Sequence, residues 1–395
     1  MKFDNLLRYA LRIIAAYAGE KPLHIWLKDF FRVNPQMGSR DRKLASEMVY
    51  CFYRLGHSAG IDSARDRILS GLFLCNEAPL ELLAYFHPEW NEAIGIPLNE
   101  KLKKVQEKFP DFSPGKIFSW HGLLSQSVDY DAFCSSFLMK PDLFIRVRPG
   151  KEKQVHAKLS ATQTMFRECR NSNQLLFDAY AFANGTRLEQ ILELNRDAVI
   201  QDLSSQKTAI LMKTENDPEK KIRAWDCCAA SGGKAILLAD IYPRLDLTVS
   251  DIRRSILVNL RLRLAEAGVS PYHPFQADLT LGKDIPQESF DLIVADLPCT
   301  GSGTWSRTPE SVFFFDPGVI EQYRDRQQKI LLNIIPCLKP GGTLVYITCS
   351  VFAIENEEML KFIEASGGLR LVRQEMFAGY RERADSMFAA SFKKE

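Results

Sequence analysis

No stretch of this chain approaches the roughly 18 consecutive apolar residues that a membrane span needs. Its start, Met1-Lys2-Phe3-Asp4-Asn5, carries no signal-peptide pattern. A cytoplasmic protein with no membrane partner is therefore expected. Net charge is nearly missing too. It is +2 at neutral pH, so a nucleic-acid partner has to be met by local basic patches rather than a global positive field. The nine cysteines (Cys51, Cys75, Cys134, Cys169, Cys227, Cys228, Cys299, Cys337 and Cys349) include no Cys-x-x-Cys pair and have no histidine cluster beside them. That argues against a disulfide framework and a zinc site, so no metal is expected. Internal repeats and low-complexity tracts are absent, as are the P-loop and dinucleotide fingerprints.

What is present is length and an ordinary globular composition. At 395 residues, 46% hydrophobic and 25% charged, the chain exceeds one core and predicts two or three domains. Residues 1–125 read as helical. Leu6, Leu7, Ala10, Leu11, Ile14 and Ala15 recur at helix spacing, as do Leu44, Met48, Val49 and Phe52. Residues 126–205 read as a small α/β module, with strands at 143–148 and 175–177 around a helix at 151–161. Residues 206–395 alternate strand and helix, the pattern of a parallel α/β sheet. Strands are predicted at 222–227, 245–250, 290–295 and 343–348, helices at 234–241, 253–267, 319–338 and 354–364, and a closing strand at 386–392.

After the first of those strands comes Asp226-Cys227-Cys228-Ala229-Ala230-Ser231-Gly232-Gly233-Lys234, then an apolar helix. Small residues there let backbone amides approach a ligand, and the helix N-terminus favours negative charge. Asp251 ends the second strand 25 positions after Asp226, near the ~20-residue spacing of a carboxylate that grips ribose hydroxyls. Asp278 ends a weak third strand, where it could accept from an adenine amino group. Asp296 ends the fourth. Three acidic strand ends favour S-adenosylmethionine, which has ribose, adenine and a cationic methionine end but no phosphate. Lys234 is placed either to orient the loop or its acidic neighbours or to stand as a solvated first-turn lysine.

Cys299, in Ala295-Asp296-Leu297-Pro298-Cys299-Thr300-Gly301-Ser302-Gly303, and Cys349, in Tyr346-Ile347-Thr348-Cys349-Ser350, each follow an apolar run that ends a strand. Open α/β sheets present reacting groups from such ends. Two thiols beside a cofactor loop suit methylation of carbon 5 of a cytosine. Addition of a thiolate to carbon 6 turns the electron-poor ring into an enamine. The site then needs a reactive thiolate, an acid near ring nitrogen 3 and a base for elimination, for which Cys349, Asp296 and Cys299 are the candidates in that order.

These residues closely resemble the Sun-family (RsmB-like) RNA 5-methylcytosine methyltransferases. The resemblance is carried by Gln201-Asp202-Leu203-Ser204-Ser205-Gln206, the loop 226–234, Asp251, Asp278, the stretch 296–303, and Thr348-Cys349-Ser350 followed by Glu355-Asn356-Glu357-Glu358. It also extends to Ala384-Asp385-Ser386-Met387-Phe388-Ala389-Ala390. It implies an α/β Rossmann-like, class I S-adenosylmethionine-dependent methyltransferase domain with Cys349 as nucleophile and Cys299 assisting product release. It further implies that Cys228, Ala229, Ala230, Ser231, Gly232, Gly233, Lys234, Asp251, Asp278 and Asp296 line the cofactor pocket. A DNA enzyme of this chemistry would instead attack with the Pro-Cys thiol. Ser231 stands where the family usually has proline, Thr300 replaces a common serine, and the stretch 305–310 keeps only part of an Arg-rich RNA-contact pattern. Arg40-Asp41-Arg42-Lys43-Leu44-Ala45 and Tyr50-Cys51-Phe52-Tyr53-Arg54 make the first segment similar to a NusB-type, all-α RNA-binding domain, which favours 16S ribosomal RNA as substrate.

Arg146, Arg148, Lys151 and Lys153 around Phe144 are expected to meet RNA backbone, while the second basic group, Lys101, Lys103, Lys104 and Lys108, reads first as a solvated face and only then as an RNA contact. The target must be an unpaired or flipped cytosine, and the protein is expected to act as a monomer. Rival readings are a transfer-RNA cytosine-5 methyltransferase and an RNA-binding ribosome-assembly factor that does not turn over.

Overall fold

A computed structural model describes residues 2–169, 174–214, 220–287 and 289–395. Two compact units divide them. The first is helical and gathers three stretches: the residues through Gly122, Asp129–Lys140 and Thr304–Asp316. In the helix Phe3–Ala16 the residues at helical spacing, Leu6, Leu7, Ala10 and Ile13, are the buried ones. Leu11 and Ile14, counted in the same stripe from sequence, are only half-buried. The helices Ser39–Arg54 and Ala64–Cys75 approach closely because Gly71 has no side chain; a Cβ there would stand 2.3 Å from the Cys51 carbonyl oxygen. Ser63 caps the second of these helices by accepting from the Asp66 amide.

The stretch Thr304–Asp316 completes this unit's interior. Trp305 is buried beside Phe118 and Trp120. Glu310 Oε1 accepts from the Leu23 amide at 3.2 Å. Residues 305–310, read from sequence as a weakened RNA-contact pattern, therefore include core residues of the helical unit. Lys101 is corrected as well. It is only 3% exposed and donates from Nζ to the Asn76 carbonyl, so it leaves the proposed basic face while Lys103 and Lys104 stay exposed.

The second unit comprises Leu123–Val128, Pro141–Gly303 and Pro317–Glu395. It begins with four short strands, β1 (Leu143–Val147), β2 (Phe166–Glu168), β3 (Ala179–Phe182) and β4 (Ala198–Ile200), in the antiparallel order β2-β3-β1-β4. The helix Glu152–Ser160 follows β1. The strand expected at 175–177 lies instead at β3, and β2 and β4 are too short to show a period of two.

The larger sheet contains β5 (Ile222–Asp226), β6 (Leu245–Asp251), β7 (Tyr272–Gln276), β8 (Phe290–Asp296), β9 (Leu338–Thr348), β10 (Leu369–Phe377) and β11 (Met387–Lys394). Their order is β10-β11-β9-β8-β5-β6-β7. Five neighbours run parallel from β9 to β7, while β11 lies antiparallel to both β9 and β10. This is the Rossmann-like sheet expected from the alternating pattern, with a reversed hairpin at one edge. Alternate residues of the central strands serve opposite faces: Ala224, Leu292, Val294 and Val345 join one core layer, Trp225, Ile293, Ala295 and Leu344 the other. The chain leaves β5 for β6 and β7 on one side and returns through β8 and β9 on the other. Ligand sites form outside the carboxyl ends at such a switch point.

The small sheet is fastened to the large one by residues that the sequence suggested were RNA contacts. Arg146 is 1% exposed, pairs with Asp240 and donates from Nε to Gln201 Oε1 at 3.0 Å. Arg148 donates to Asp240 Oδ1 at 2.7 Å and to the carbonyls of Asn195 and Ala267. A buried arginine must be paired to be tolerated, and Asp240 supplies the charge. Arg146 and Arg148 are therefore structural. No helix among the described residues is long and apolar enough to cross a membrane.

Candidate active site

Asp296 closes β8, and Cys299 follows it by three positions; Cys349 follows the last residue of β9. Because Asp296 pairs with Ile347 in register, and the Leu297 amide donates to the Ile347 carbonyl at 3.0 Å, the two thiols leave adjacent parallel strand ends. Their Sγ atoms stand 3.2 Å apart. Both thiols are partly accessible. Gly303 ties their loops to the sheet: its amide donates to the Cys349 carbonyl, and its carbonyl accepts from the Ser386 amide, each at 2.9 Å. A Cβ at Gly303 would fall 2.1 Å from the Ser386 oxygen. The hydrogen bond with Cys349 pushes the Cys299 thiol well above its usual range, aided by burial and by the charges of Cys349 and Glu355. Cys299 thus holds its proton.

The cofactor loop lies one strand away. Trp225 Nε1 donates to Ser250 Oγ, which donates to the Cys227 carbonyl at 2.7 Å, pinning the end of β5 to β6. Ala230 and Gly232 take left-handed backbone angles, φ 44° and 85°, as a tight strand-to-helix turn requires. The helix Gly233–Ile241 starts there, and Gly233 has nothing within 4 Å of where a Cβ would be. Lys234 Nζ donates to Asp296 Oδ2 at 2.6 Å and to Ser205 Oγ at 3.2 Å. Lys234 thus orients an acidic neighbour rather than facing solvent.

Asp251 ends β6. Its Oδ2 accepts from the Ala230 amide at 3.1 Å, and Oδ1 from the Arg253 amide at 2.9 Å. Burial would raise this carboxyl, but hydrogen bonds from Arg253 and from Ala230 hold it below its usual range. Asp278 lies two residues beyond β7, in a loop where its Oδ1 accepts from Thr280. Cys228, Ala229 and Ser231 complete the turn. Ser231 has its Oγ and carbonyl held by Arg263 Nη1 at 2.8 and 3.0 Å.

Asp226 is the outlier. It is fully buried, and neither carboxyl oxygen has a hydrogen-bond partner. Burial pushes it up to about 7 even though Lys234 favours its charge. A buried carboxyl left without donors at a ligand loop suits a cationic group. The open Gly233, the carboxylate of Asp251 and the lack of a phosphate-binding lysine pattern fit a ligand with a positive end and ribose hydroxyls, as S-adenosylmethionine has. No cluster of metal-ligating side chains occurs among the described residues.

Sequence reasoning missed the polar side chains beneath the thiols. Glu355, Asn356 and Gln327 are completely buried and bond to the residues flanking both cysteines. Glu355 and Asn356 were visible only as part of a motif. A glutamine in the middle of the helix Val319–Ile334 carries no signal at all. Arg263 was missed for the same reason, and Ser205 was visible only as part of the motif 201–206.

Residues 209–387 match the family model described as 16S rRNA methyltransferase RsmB/F. The chain is 29% identical over 316 residues to a probable ribosomal RNA small subunit methyltransferase B of Synechocystis sp., covering 77% of this chain and 66% of that one. It is 31% identical over 282 residues to ribosomal RNA small subunit methyltransferase B of Enterobacter sp., covering 70% and 57%. The chain thus spans less than two thirds of either relative. The solved structure of PH0851 superposes with a TM-score of 0.68 over 100% of this chain and 99% of that one at 18% identity. A methyltransferase homolog from Pyrococcus horikoshii gives 0.56 over 67% and 90% at 21% identity. These likenesses establish the fold.

Proposed function

From the premise that the chain belongs to the RsmB/F family, we propose that it methylates carbon 5 of a cytosine in 16S ribosomal RNA, in the cytoplasm, using S-adenosylmethionine. The observation that carries this reading is the pair of thiols 3.2 Å apart at adjacent strand ends. A cytosine-5 transfer needs one sulfur to add and another group to take a proton away, and few other reactions need two.

Cys349, as thiolate, adds to carbon 6, and the electron pair moves into the ring towards nitrogen 3. Asp296, held by Lys234, acts as the acid that gives nitrogen 3 a proton as the pair arrives, and takes it back when the ring is restored. When bound, S-adenosylmethionine supplies the sulfonium methyl that the activated carbon 5 takes up. Cys299 then removes the carbon 5 proton, and the bond from carbon 6 to Cys349 breaks to restore both the ring and the thiolate. The causes that keep Cys299 protonated explain the order. Two of them, the hydrogen bond and the charge of Cys349, lapse once that sulfur is bonded to carbon. Cys299 therefore releases its own proton to water, and becomes a base, only after addition.

Asp226 would hold the positive end of the methyl donor and Asp251 its ribose, with Asp278 and residues 228–234 completing the pocket. The helical residues 1–125 and the module 126–205 handle RNA. The exposed Lys103, Lys104 and Lys153 supply salt-dependent backbone contacts.

The test is incubation of the purified protein with labelled S-adenosylmethionine and, separately, 16S ribosomal RNA and total transfer RNA, followed by bisulfite sequencing. One protected cytosine in the ribosomal RNA is expected. Protection confined to transfer RNA overturns the substrate, and no transfer to any RNA overturns the activity.

A further inference from the structure

Beneath the thiols lies a polar cluster that the reaction steps leave unused. Four donors converge on the Glu355 carboxylate. Oε1 accepts from the Thr300 amide at 2.9 Å and from Gln327 Nε2 at 3.2 Å. Oε2 accepts from Thr300 Oγ1 at 2.6 Å and from Ser350 Oγ at 2.5 Å. Thr300 follows Cys299, and Ser350 follows Cys349. Gln327 Nε2 also donates to the carbonyl of Pro298, which precedes Cys299, at 3.0 Å. Asn356 fastens the other loop: Oδ1 accepts from Thr348 Oγ1 at 2.6 Å, and Nδ2 donates to the Ser350 carbonyl at 3.0 Å. Residues on both sides of each cysteine are thereby held by buried side chains.

We propose that Glu355 is the positioning residue of the thiol pair, its carboxylate binding the Cys299 loop to the Cys349 loop and fixing the separation of the two sulfurs. The proposal rests on the assignment of both sulfurs to the reaction. Burying a carboxylate is unfavourable even when it is fully hydrogen-bonded, and an apolar side chain of similar size is often more stabilising. Here burial does raise the Glu355 carboxyl against the pull of Ser350, Thr300 and Gln327. What the carboxylate provides is geometry. Neither thiol lies in a strand or helix, and nothing apolar could bridge the two loops through four directed bonds. Displacing a reacting group by ~1 Å can slow a reaction about 10²-fold.

Glu355→Gln keeps the shape but turns one acceptor into a donor that faces donors already in place. Thr300→Val removes the hydroxyl and leaves the amide, a smaller loss that keeps the question open should Glu355→Gln not fold. The probe is phenylarsine oxide, which condenses with two thiols held close together, titrated into the full chain. The same titration of Cys349→Ala subtracts the other cysteines. The pair-specific affinity is expected to fall about tenfold or more in Glu355→Gln, and less in Thr300→Val, with melting temperatures close to that of the starting protein. In methyl-transfer assays kcat should fall about 10- to 10²-fold with KM for RNA little changed. A folded Glu355→Gln, or failing that Thr300→Val, that keeps full arsenical affinity overturns the positioning role. The arsenical readout needs no RNA, so absence of methyl transfer in the unaltered protein would strike the proposed function and leave this result standing.

Discussion

The loop 226–234 and the two thiol loops stand at the carboxyl edge of one sheet, yet their surroundings differ in kind. Around Cys299 and Cys349 the fastenings are buried and saturated: Glu355, Asn356 and Gln327 bond to one another's neighbours and see no solvent. Around the glycine loop buried bonds of Ser250 and Lys234 are joined by arginines reaching in from the surface. Arg253 is 57% exposed where it grips Asp251, and Arg263 crosses to Ser231. One carboxyl there, Asp226, is held by no side chain. Buried satisfied networks fix a geometry, whereas exposed ion pairs contribute little and exchange easily. The reacting half of the site is set before any ligand arrives, and the binding half keeps groups that a ligand can recruit or displace.

The comparison breaks most readily at the nucleophile. Cys349→Ala should lower methyl transfer by at least about 10³-fold while RNA affinity, measured by filter binding, is nearly unchanged; retained transfer would remove Cys349 from the mechanism. Cys299→Ala should still transfer a methyl group but fail to let go, and a denaturing gel should show protein joined to RNA. Were no such band seen, the elimination role would fall.

Backbone closeness at the thiol loops gives the next effect. Gly303→Ala would set a Cβ against the Ser386 and Cys349 carbonyls, and overpacking of this kind lowers stability by about 1–3 kcal/mol, read as a drop in melting temperature. A neutral Gly303→Ala would show that the loop edge is softer than the cluster beneath it.

The binding half should reveal itself through pH. The Asp226 carboxyl moves from 3.8 to about 7 on burial. The folded chain therefore keeps a proton that the unfolded chain loses, so stability falls as pH rises between those values and stays lower above them. Asp226→Asn should abolish that slope in melting temperature. Affinity for S-adenosylmethionine, measured by calorimetry, should rise as pH passes 7 and Asp226 becomes anionic, and a flat profile would deny it a cationic partner. The smallest change is expected from Arg253→Ala. An exposed pair of this type contributes about 1 kcal/mol or less, so the variant should fold as before and shift cofactor affinity by only a few fold.

The sheet was legible because its strands advertise themselves. Ile222–Asp226, Phe290–Asp296 and the end of Leu338–Thr348 are apolar runs closed by an acid or a threonine, as strands covered on both faces must be. β10 escaped because Leu369–Phe377 alternates with charged residues at a sheet edge, where one face meets water. Arg146 and Arg148 were misread for a related reason. An arginine pair beside a strand looks the same in sequence whether it faces solvent or Asp240, and only the packing of the small sheet against the helix Gly233–Ile241 separates the two cases.

Sequence alone determined which groups could react and in what local setting, because strand ends, glycine turns and cysteines are properties of short stretches of chain. Tertiary structure decided how far apart those groups stand and what holds them. Cys299 and Cys349 are 50 positions apart, and Glu355 meets Thr300 across a similar gap. Such meetings follow from which strands become neighbours, a choice made by burying apolar surface over the whole sheet rather than by any single segment.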